Sequence, residues 1–468
     1  MPHQPSFFFY DLETSGTDCR RQRIMQFAGQ RTTLDLEPIG EPVNWLVRLA
    51  DDVLPEIEAT LITGITPQST QDGITEAELV KRLQEQVLTP DTIVTGYNNI
   101  RFDDEFIRFT LYRNFADAYA WAYKDGRSRW DLLDVVRMMR ALRPQGLTWP
   151  TDDTGKPTNR LENLAQANGL DHLKAHDALS DVQALIGLAR LIQQAQPKFW
   201  QYALKLRHKA TVEDMIKPLS PEPFIYTNGM YGHEHDSTTA AVIIGQDRPG
   251  TYFIYDLRVD PKPFMDLSPE DLQVRLFSKS QELAATGVSR VPVKTLSTNR
   301  CPAVAPLATL TDEAASRLEL DKQTIQTHWQ TLRGSQLPAN IAAAFQLQTP
   351  FPATDDVDGA LYNGFLNDDA ACNQVRTATS QTIATLAPPF TDERLPELFL
   401  RYKGRNFPQS LSDEDRSQWE TYRASRIMAD IEPWSTALAA AYDDADDAGK
   451  SLLTDLQLWA ESIYPAEI

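Results

Sequence analysis

Two carboxylates separated by one residue, Asp11 and Glu13, end an aromatic run that begins at Phe7. In an extended strand, residues i and i+2 project from the same face, so both carboxylates are predicted to stand side by side at a strand end. Neighbouring anions repel each other unless a cation lies between them, and oxygen ligands suit Mg²⁺ or Mn²⁺. The pair therefore predicts a divalent-metal site, with a solvated Asp-x-Glu at a strand exit as the alternative.

Two further acidic motifs follow along the chain. After a β-branched run at residues 92–96, an Asn-rich turn leads into a predicted helix that starts with Asp103 and Asp104. Farther on, His176 precedes Asp181 by about one turn at the head of another predicted helix. Carboxylates at a helix N-terminus are favourable in any protein, so each motif alone also has a structural explanation.

Taken in order, Asp-x-Glu, then Asp, then His followed by Asp, these motifs resemble the DEDD exonuclease superfamily in its histidine-containing form. Five segments that span nearly the whole chain resemble bacterial exonuclease I, a family that degrades single-stranded DNA from its 3′ end; they are residues 61–67, 97–106, 129–135, 361–365 and 401–408. The resemblance implies an α/β fold: an RNase-H-like exonuclease domain with a mixed sheet, then an SH3-like β-containing domain and an all-helical C-terminal domain.

The resemblance also implies roles for the acids and the histidine. Asp11, Glu13, Asp103 and Asp181 are predicted to hold two Mg²⁺ ions, with Mn²⁺ able to substitute; one ion activates water and the other stabilises the departing 3′ oxygen. Asp104 competes with Asp103, but the superfamily pattern takes the acid directly after Phe and favours Asp103. His176 is predicted to be the general base, because an imidazole pKa of about 6.5 suits proton transfer near neutral pH. A lone histidine is more often a surface or capping residue.

Cations and aromatic residues alternate from Arg108 to Arg137, a mixture that single-strand binding uses because aromatic faces stack bases while cations follow phosphates. Tyr119 and Tyr123, at helical i, i+4 spacing, are predicted to stack bases. The predicted phosphate contacts are Arg108 and Arg137 of this stretch and Arg160, for which the resemblance implies a substrate-contacting arginine. Glu13 is also expected to touch substrate. The alternative is that aromatic residues of this stretch belong to the core, as expected for Phe115, Trp121 and Trp130. Lys294 and Arg300 are weaker candidates.

Composition bounds the remaining interpretation. A chain of 468 residues predicts two or three domains, with ranges 1–196, 197–348 and 353–468 indicated by composition shifts near prolines. The three scattered cysteines predict neither a disulfide framework nor a zinc site, and they fit a reducing cytoplasm. Neither a signal peptide nor a membrane-spanning segment is expected. The net charge of −20 describes the surface as a whole. It does not exclude a polyanionic substrate, because nucleic-acid affinity depends on a local positive groove.

Periodicity places the predicted elements. Strands are expected at residues 7–10, 24–33, 45–49, 92–96, 239–244, 251–257 and 291–296, and helices at residues 76–87, 105–114, 132–142, 161–168 and 177–194. Ser412 with Asp415 three residues later predicts a capped helix start.

The resulting hypothesis is a monomeric, Mg²⁺-dependent 3′→5′ exodeoxyribonuclease of DNA repair and recombination, acting on single-stranded DNA and releasing nucleoside 5′-monophosphates. The alternatives are an RNA-trimming exonuclease of the same superfamily and a catalytically silent nucleic-acid scaffold. The resemblance also implies binding of the acidic C-terminal tail of single-stranded-DNA-binding protein, with Arg143 and Arg333 as candidate contacts. Both arginines could equally be solvated surface charges.

Overall fold

The computed structural model of the protein describes residues 4–170, 177–349 and 352–465. The chain forms two compact units, of which the first contains residues 1–128, 172–186 and 352–468 and the second contains residues 129–171 and 187–351. The first unit is therefore assembled from segments that are far apart in the sequence.

The strands, numbered β1 to β10 in chain order, are Ser6–Thr14, Ile24–Thr32, Val43–Leu46, Thr92–Gly96, Ser128–Asp131, Phe224–Thr227, Thr238–Arg248, Thr251–Asp256, Val293–Ser297 and Ala303–Pro306. The α-helices, α1 to α17, are Ile57–Thr63, Glu76–Arg82, Asp103–Arg113, Leu132–Leu142, Leu161–Ala167, Ala178–Ala195, Pro197–Lys205, Lys209–Ile216, Pro269–Phe277, Ser280–Thr286, Asp312–Arg317, Lys322–Arg333, Leu337–Gln346, Asp369–Thr377, Leu395–Asn406, Asp413–Asp444 and Asp447–Ile463. Among the described residues, no helix has both the length and the apolar character needed to cross a membrane.

The sheet of the first unit is mixed. Four strands lie in the order β3-β2-β1-β4, with β1 antiparallel to β2 and parallel to β4. The sequence predicted that the first strand ends at Tyr10, but β1 continues to Thr14 because its ladder with β2 includes the pairs Asp11↔Ala28 and Glu13↔Gln26. Both carboxylates therefore lie on the strand and not beyond its end.

Helices α2 and α3 cover one face of this sheet. Phe8, Tyr10 and Leu12 of β1 share a buried cluster with Leu79 of α2 and Phe106 of α3. The predicted helix at residues 76–87 is α-helical only to Arg82 and continues as a π-helical turn at Leu83–Val87. Alternate residues of β1 thus fill the core, which leaves Asp11 to project from the other face.

The helices after residue 352 pack onto the first 128 residues. Phe115, after α3, makes aromatic contacts with Phe399 and Tyr402 of α15. A second cluster joins Met25 and Val53 to Trp459 of α17 and its neighbours. Helix α16 starts where the sequence predicted, with the Ser412 hydroxyl accepting a hydrogen bond from the Asp415 amide.

A buried group of charges also joins these two segments, and we call it the arginine junction: Asp52, Asp358, Arg23, Arg401 and Arg405. Arg405 donates from Nη1 to Asp358 at 2.7 Å and from Nη2 to Asp52 at 2.7 Å. Arg401 donates to Asp358 at 3.0 Å, and Nη2 of Arg23 lies 3.6 Å from Asp358. Both aspartates are fully buried, so each carboxylate has guanidinium partners in place of water.

The second unit contains an antiparallel sheet in the order β10-β6-β7-β8-β9. Its strands β7, β8 and β9 overlap the three strands predicted in the middle of the chain, and α4 has the predicted bounds Leu132–Leu142. Helix α4 packs against β6, β7 and β10 of this sheet.

The negative charge of the chain is unevenly distributed. Residues 353–468 hold 21 Asp and Glu against 9 Lys and Arg, whereas residues 197–348 hold 16 of each kind. Most of the net charge of −20 therefore comes from the C-terminal helices.

Candidate active site

The end of β1 positions the first two acids of the site. Asp11 and Glu13 share one face of the strand, and the ladder with β2 shifts register between Glu13 and Thr14. A bulge at this point re-aims the side chains at the strand end, and bulges are common beside active sites. Glu13 is buried and Asp11 is half-buried, so neither carboxylate is fully hydrated.

Helix α6 brings a third acid to the same place. Asp181 lies in the first turn of α6, whose start is capped by the Asp177 carboxylate accepting a hydrogen bond from the Ser180 amide at 3.1 Å. Asp11, Glu13 and Asp181 each offer an oxygen atom, and these atoms all lie within 4.8 Å of one another. Three carboxylate oxygens so close together are the kind of ligand set that a hard divalent cation takes.

Burial and neighbouring acids raise the pKa values of both β1 carboxylates. The pKa of Asp11 is raised well above its usual range by burial and then by the charges of Asp103, Glu13 and Asp181. The pKa of Glu13 is raised to about 8, first by burial and then by Asp181 and Asp103. A bound cation would relieve both the burial cost and the mutual repulsion. The donor set therefore fits a divalent metal.

Asp103 and Asp104 have different environments at the start of α3. Asp103 is close enough to raise the pKa of both β1 carboxylates, although it lies outside the close group of three. Asp104 is fully buried and accepts a hydrogen bond from the Tyr10 hydroxyl at 2.6 Å and another from the Asn99 amide at 3.1 Å. The interior contacts of Asp104 leave Asp103 as the better candidate of the two for a fourth ligand. His176, the predicted base, lies outside the described residues.

Arg108 is held by neighbours of the first unit. Its Nη1 atom donates to the Glu105 carboxylate at 2.9 Å and to the Tyr362 hydroxyl at 3.4 Å, and its guanidinium lies 5.7 Å from the ring centre of Tyr119. A phosphate at this point would therefore compete with Glu105 for the same guanidinium.

The expected helical spacing of Tyr119 and Tyr123 is wrong. The two tyrosines flank a short 3₁₀ turn, Ala120–Ala122, because the Asp117 side chain accepts hydrogen bonds from the amides of Tyr119 and Ala120 and sets a tight turn. Both tyrosines nevertheless line one cavity of about 470 Å³, and 69% of Tyr123 is exposed. Phe115, Trp121 and Trp130 are buried, as the core alternative predicted.

Phe365 is an aromatic residue of this cavity to which the sequence assigned no role. Its side chain is 80% exposed and meets the Tyr119 ring edge-on, with the ring centres 5.8 Å apart. The available signal was its place in the segment 361–365, where an aromatic residue follows Gly364 in a loop. An exposed phenylalanine beside tyrosines provides an additional surface for stacking.

The remaining predicted contacts lie in the second unit. Arg137 pairs with Asp134 at 2.7 Å, whereas 77% of the Arg160 side chain is exposed and Glu162 lies 3.9 Å away. Arg143 donates to the Thr309 carbonyl at 3.3 Å, and the exposed Arg333 lies over the Trp329 ring at 5.1 Å. Lys294 is half-buried, with its pKa lowered by burial, and Arg300 is exposed.

Comparisons with known proteins agree with this architecture. Family models match the exonuclease family at residues 8–189, the exonuclease I SH3-like domain at 207–347 and the exonuclease I C-terminal domain at 355–463. The chain is 37% identical over 469 residues to exodeoxyribonuclease I of Escherichia coli, with 98% of each chain covered.

Two solved structures are similar over almost the whole chain. Exonuclease I from Methylocaldum szegediense has a TM-score of 0.91 and 41% identity, with 98% of this chain and 99% of that chain covered. The zinc-bound form of the E. coli exonuclease I complex with single-stranded DNA has a TM-score of 0.93 and 35% identity, with 98% and 100% covered. The predicted exonuclease domain with a mixed sheet, SH3-like domain and helical C-terminal domain are confirmed, and the chain belongs to the exonuclease I family.

Proposed function

We propose that this exonuclease is a Mg²⁺-dependent 3′→5′ exodeoxyribonuclease that releases nucleoside 5′-monophosphates from single-stranded DNA in repair and recombination. The close group formed by Asp11, Glu13 and Asp181 carries the proposal, because it brings carboxylates from a strand end and a helix start within 4.8 Å of one another. The exodeoxyribonuclease relatives and the complex of E. coli exonuclease I with single-stranded DNA support the choice of substrate.

Asp11, Glu13, Asp103 and Asp181 would hold two Mg²⁺ ions, for which Mn²⁺ can substitute. When bound, such ions supply a water nucleophile at neutral pH and neutralise charge on the leaving oxygen. The carboxylates would orient the ions, and Glu13 is also proposed to contact the terminal nucleotide. His176 is proposed as the general base, on the strength of its spacing to Asp181 in the sequence.

Substrate binding is proposed to combine stacking with phosphate contacts. In the first unit, Tyr119, Tyr123 and Phe365 line the aromatic cavity and Arg108 lies against Tyr119. In the second unit, Arg137 and the exposed Arg160 are proposed to contact phosphates. Aromatic faces accept any base, so this arrangement suits a nuclease without sequence preference.

We also propose domain ranges of 1–196, 197–348 and 353–468, a monomeric state and a cytoplasmic location. Arg143 and Arg333 are proposed to bind the acidic tail of single-stranded-DNA-binding protein. Titration of a tail peptide against wild type and Arg143→Ala tests this contact, and unchanged affinity would remove Arg143 from the proposal.

The central experiment uses matched DNA and RNA single strands labelled at the 5′ end. With Mg²⁺, the labelled DNA should shorten stepwise from its 3′ end and release mononucleotides, whereas EDTA should stop the reaction. Degradation of RNA at an equal or greater rate would identify an exoribonuclease instead. A folded protein that binds both strands and cleaves neither would be a scaffold.

A further inference from the structure

A buried hydrogen bond joins β1 to α3 directly behind the acidic cluster. The Tyr10 hydroxyl donates to Oδ1 of Asp104 at 2.6 Å, and both side chains are buried although they lie 94 residues apart in the sequence. Tyr10 immediately precedes Asp11, and Asp104 immediately follows Asp103. The contact therefore connects the backbone beside one predicted ligand to the backbone beside another.

The loop between β4 and α3 adds a second donor to the same oxygen. The Asn99 side-chain amide donates to Oδ1 of Asp104 at 3.1 Å, and the Asp104 amide donates back to the Asn99 carbonyl at 2.8 Å. Gly96 permits this arrangement, because a Cβ at that position would lie 2.7 Å from the Asn99 Cβ. Since β4 pairs with β1, the loop is fixed relative to the strand that carries Asp11.

The carboxylates beside this contact repel one another: burial is the largest cause of the raised pKa of Asp11, and the charge of Asp103 raises it further. A fixed covalent or hydrogen-bonded frame is needed to keep such groups close when no cation lies between them. Side chains alternate along a strand, so Tyr10 points into the core while Asp11 faces the site. Tyr10 can therefore act on the geometry of the site without touching substrate.

We propose that Tyr10 and Asp104 are positioning residues that set the separation between Asp11 and Asp103 for divalent-metal binding. This inference rests on the proposed metal site. It assigns the second acid of the Asp103-Asp104 pair a distinct role: Asp103 supplies a ligand, and Asp104 anchors the start of α3 to β1.

The test removes one hydroxyl in Tyr10→Phe and uses Tyr112→Phe as the matched control. Tyr112 is also on a buried segment of the first unit, and its hydroxyl donates to the Val357 carbonyl at 3.0 Å. Each substitution thus deletes a buried hydroxyl and its hydrogen bonding without removing a ring. Melting temperature is followed as Mn²⁺ is titrated, and kcat and KM are measured on a single-stranded oligonucleotide.

Tyr10→Phe is expected to need about tenfold more Mn²⁺ for its half-maximal thermal shift and to lose on the order of tenfold in kcat, as outer-shell substitutions commonly do. KM for the oligonucleotide should stay within about twofold of wild type. Tyr112→Phe should lower the metal-free melting temperature while leaving Mn²⁺ affinity and kcat unchanged.

Equal Mn²⁺ affinity and kcat in Tyr10→Phe and Tyr112→Phe would overturn the positioning role. A second comparison uses Asp104→Asn and Asp104→Leu, because asparagine keeps an oxygen that can accept from Tyr10 whereas leucine does not. Asn is expected to retain more Mn²⁺ affinity than Leu, and equal loss in both contradicts the inference. If wild type itself shows no Mn²⁺-dependent shift, the proposed metal site fails as well, so the two failures are distinguishable.

Discussion

Glu13 at the end of β1 and Asp358 in the arginine junction are both buried carboxylates of the same compact unit, yet their pKa values shift in opposite directions. Burial and the neighbouring acids raise the pKa of Glu13 to about 8. Burial also opposes the charge of Asp358, but Arg405, Arg401 and Arg23 outweigh it and hold the pKa of Asp358 well below its usual range. The sign of the shift thus reports which cations the fold itself supplies.

This difference separates a structural site from a functional one. The arginine junction neutralises its own aspartates, so it needs nothing from solution to remain folded. In the acidic cluster, burial and the neighbouring acids oppose ionisation of Asp11 and Glu13, so an added cation or protons would stabilise it. Carboxylates whose pKa values are raised by burial and by one another are the better guide to a ligand site.

The largest effect is expected from removing one acid of the cluster. Asp181→Asn should lower turnover of single-stranded DNA by roughly a thousandfold or more, the range seen when a major electrostatic contact in an active site is lost. The same substitution removes repulsion, so the metal-free melting temperature should rise. Glu58→Gln, an exposed acid of α1 in the same unit, is the matched control and should change neither quantity. Near-normal turnover in folded Asp181→Asn would exclude this ligand set.

Breaking the arginine junction should have the opposite effect on stability. Asp358→Asn leaves the buried Arg401 and Arg405 short of a counter-charge and should lower the free energy of unfolding by about 3–5 kcal/mol. Urea denaturation measures this loss. Asp430→Asn, which breaks an exposed pair with Arg21, should cost less than about 1 kcal/mol. If both substitutions have equal effects, burial of the junction has no energetic consequence and the comparison above is wrong.

The pH dependence of stability should distinguish the metal-free and metal-bound cluster. Glu13 has an ordinary pKa of 4.5 and a folded value of about 8, so the folded protein holds its proton more tightly. The stability contributed by this proton is full below about 4.5 and is lost as the pH rises through about 8. Melting temperatures in EDTA should therefore fall across this window, and Mg²⁺ or the variant Glu13→Gln should reduce the slope. An identical slope with and without Mg²⁺ would argue against a cation at Glu13.

The contributions of an aromatic residue and of an arginine to DNA binding can also be compared. Phe365→Ala should weaken binding of single-stranded DNA by about 1–3 kcal/mol, because one stacking surface is lost, and leave the salt dependence nearly unchanged. Arg137→Ala should instead reduce the slope of log affinity against log salt concentration by less than about one unit. Fluorescence anisotropy across a salt series measures both. If neither variant changes the affinity or its salt dependence, the binding surface lies elsewhere on the molecule.

The smallest effect concerns DNA affinity without metal. Two unit charges about 4 Å apart in water interact by roughly 1 kcal/mol, so at an alkaline pH that ionises Asp11, Asp11→Asn should strengthen binding of single-stranded DNA in EDTA by about fivefold. In Ca²⁺, which can occupy an oxygen-ligand site, the same variant should bind no more tightly than wild type. Stronger binding in both conditions would mean that the cluster does not hold a cation.

Local patterns predicted those parts of the fold that depend on local physics. The strand Thr92–Gly96 and the helix Leu132–Leu142 have the bounds that their apolar periodicity indicated. The turn between Tyr119 and Tyr123 was mistaken for helix, because the Asp117 side chain that sets it competes with helical hydrogen bonds. The i, i+2 rule correctly placed Asp11 and Glu13 on one face, although the strand runs farther than its aromatic segment.

Contacts between distant segments could not be predicted from one sequence. The role of Asp104 depends on Tyr10, and the burial of Asp52 depends on Arg405, which lies 353 residues away in the chain. Nothing in the local sequence of Asp104 distinguishes it from Asp103, and the family pattern was needed to choose between them. Phe365 was missed because its exposure and its contact with Tyr119 exist only after the C-terminal segment has packed.

The packing of the C-terminal helices onto the first 128 residues also has a consequence for synthesis on the ribosome. Phe109, Tyr112 and Phe115 find their apolar partners in residues that are translated more than 200 positions later. A nascent chain that has completed the acidic cluster must therefore keep these aromatic surfaces uncovered until residues 357–402 emerge. Since contacts of such high sequence separation form slowly, this part of the apolar core should close only late in synthesis.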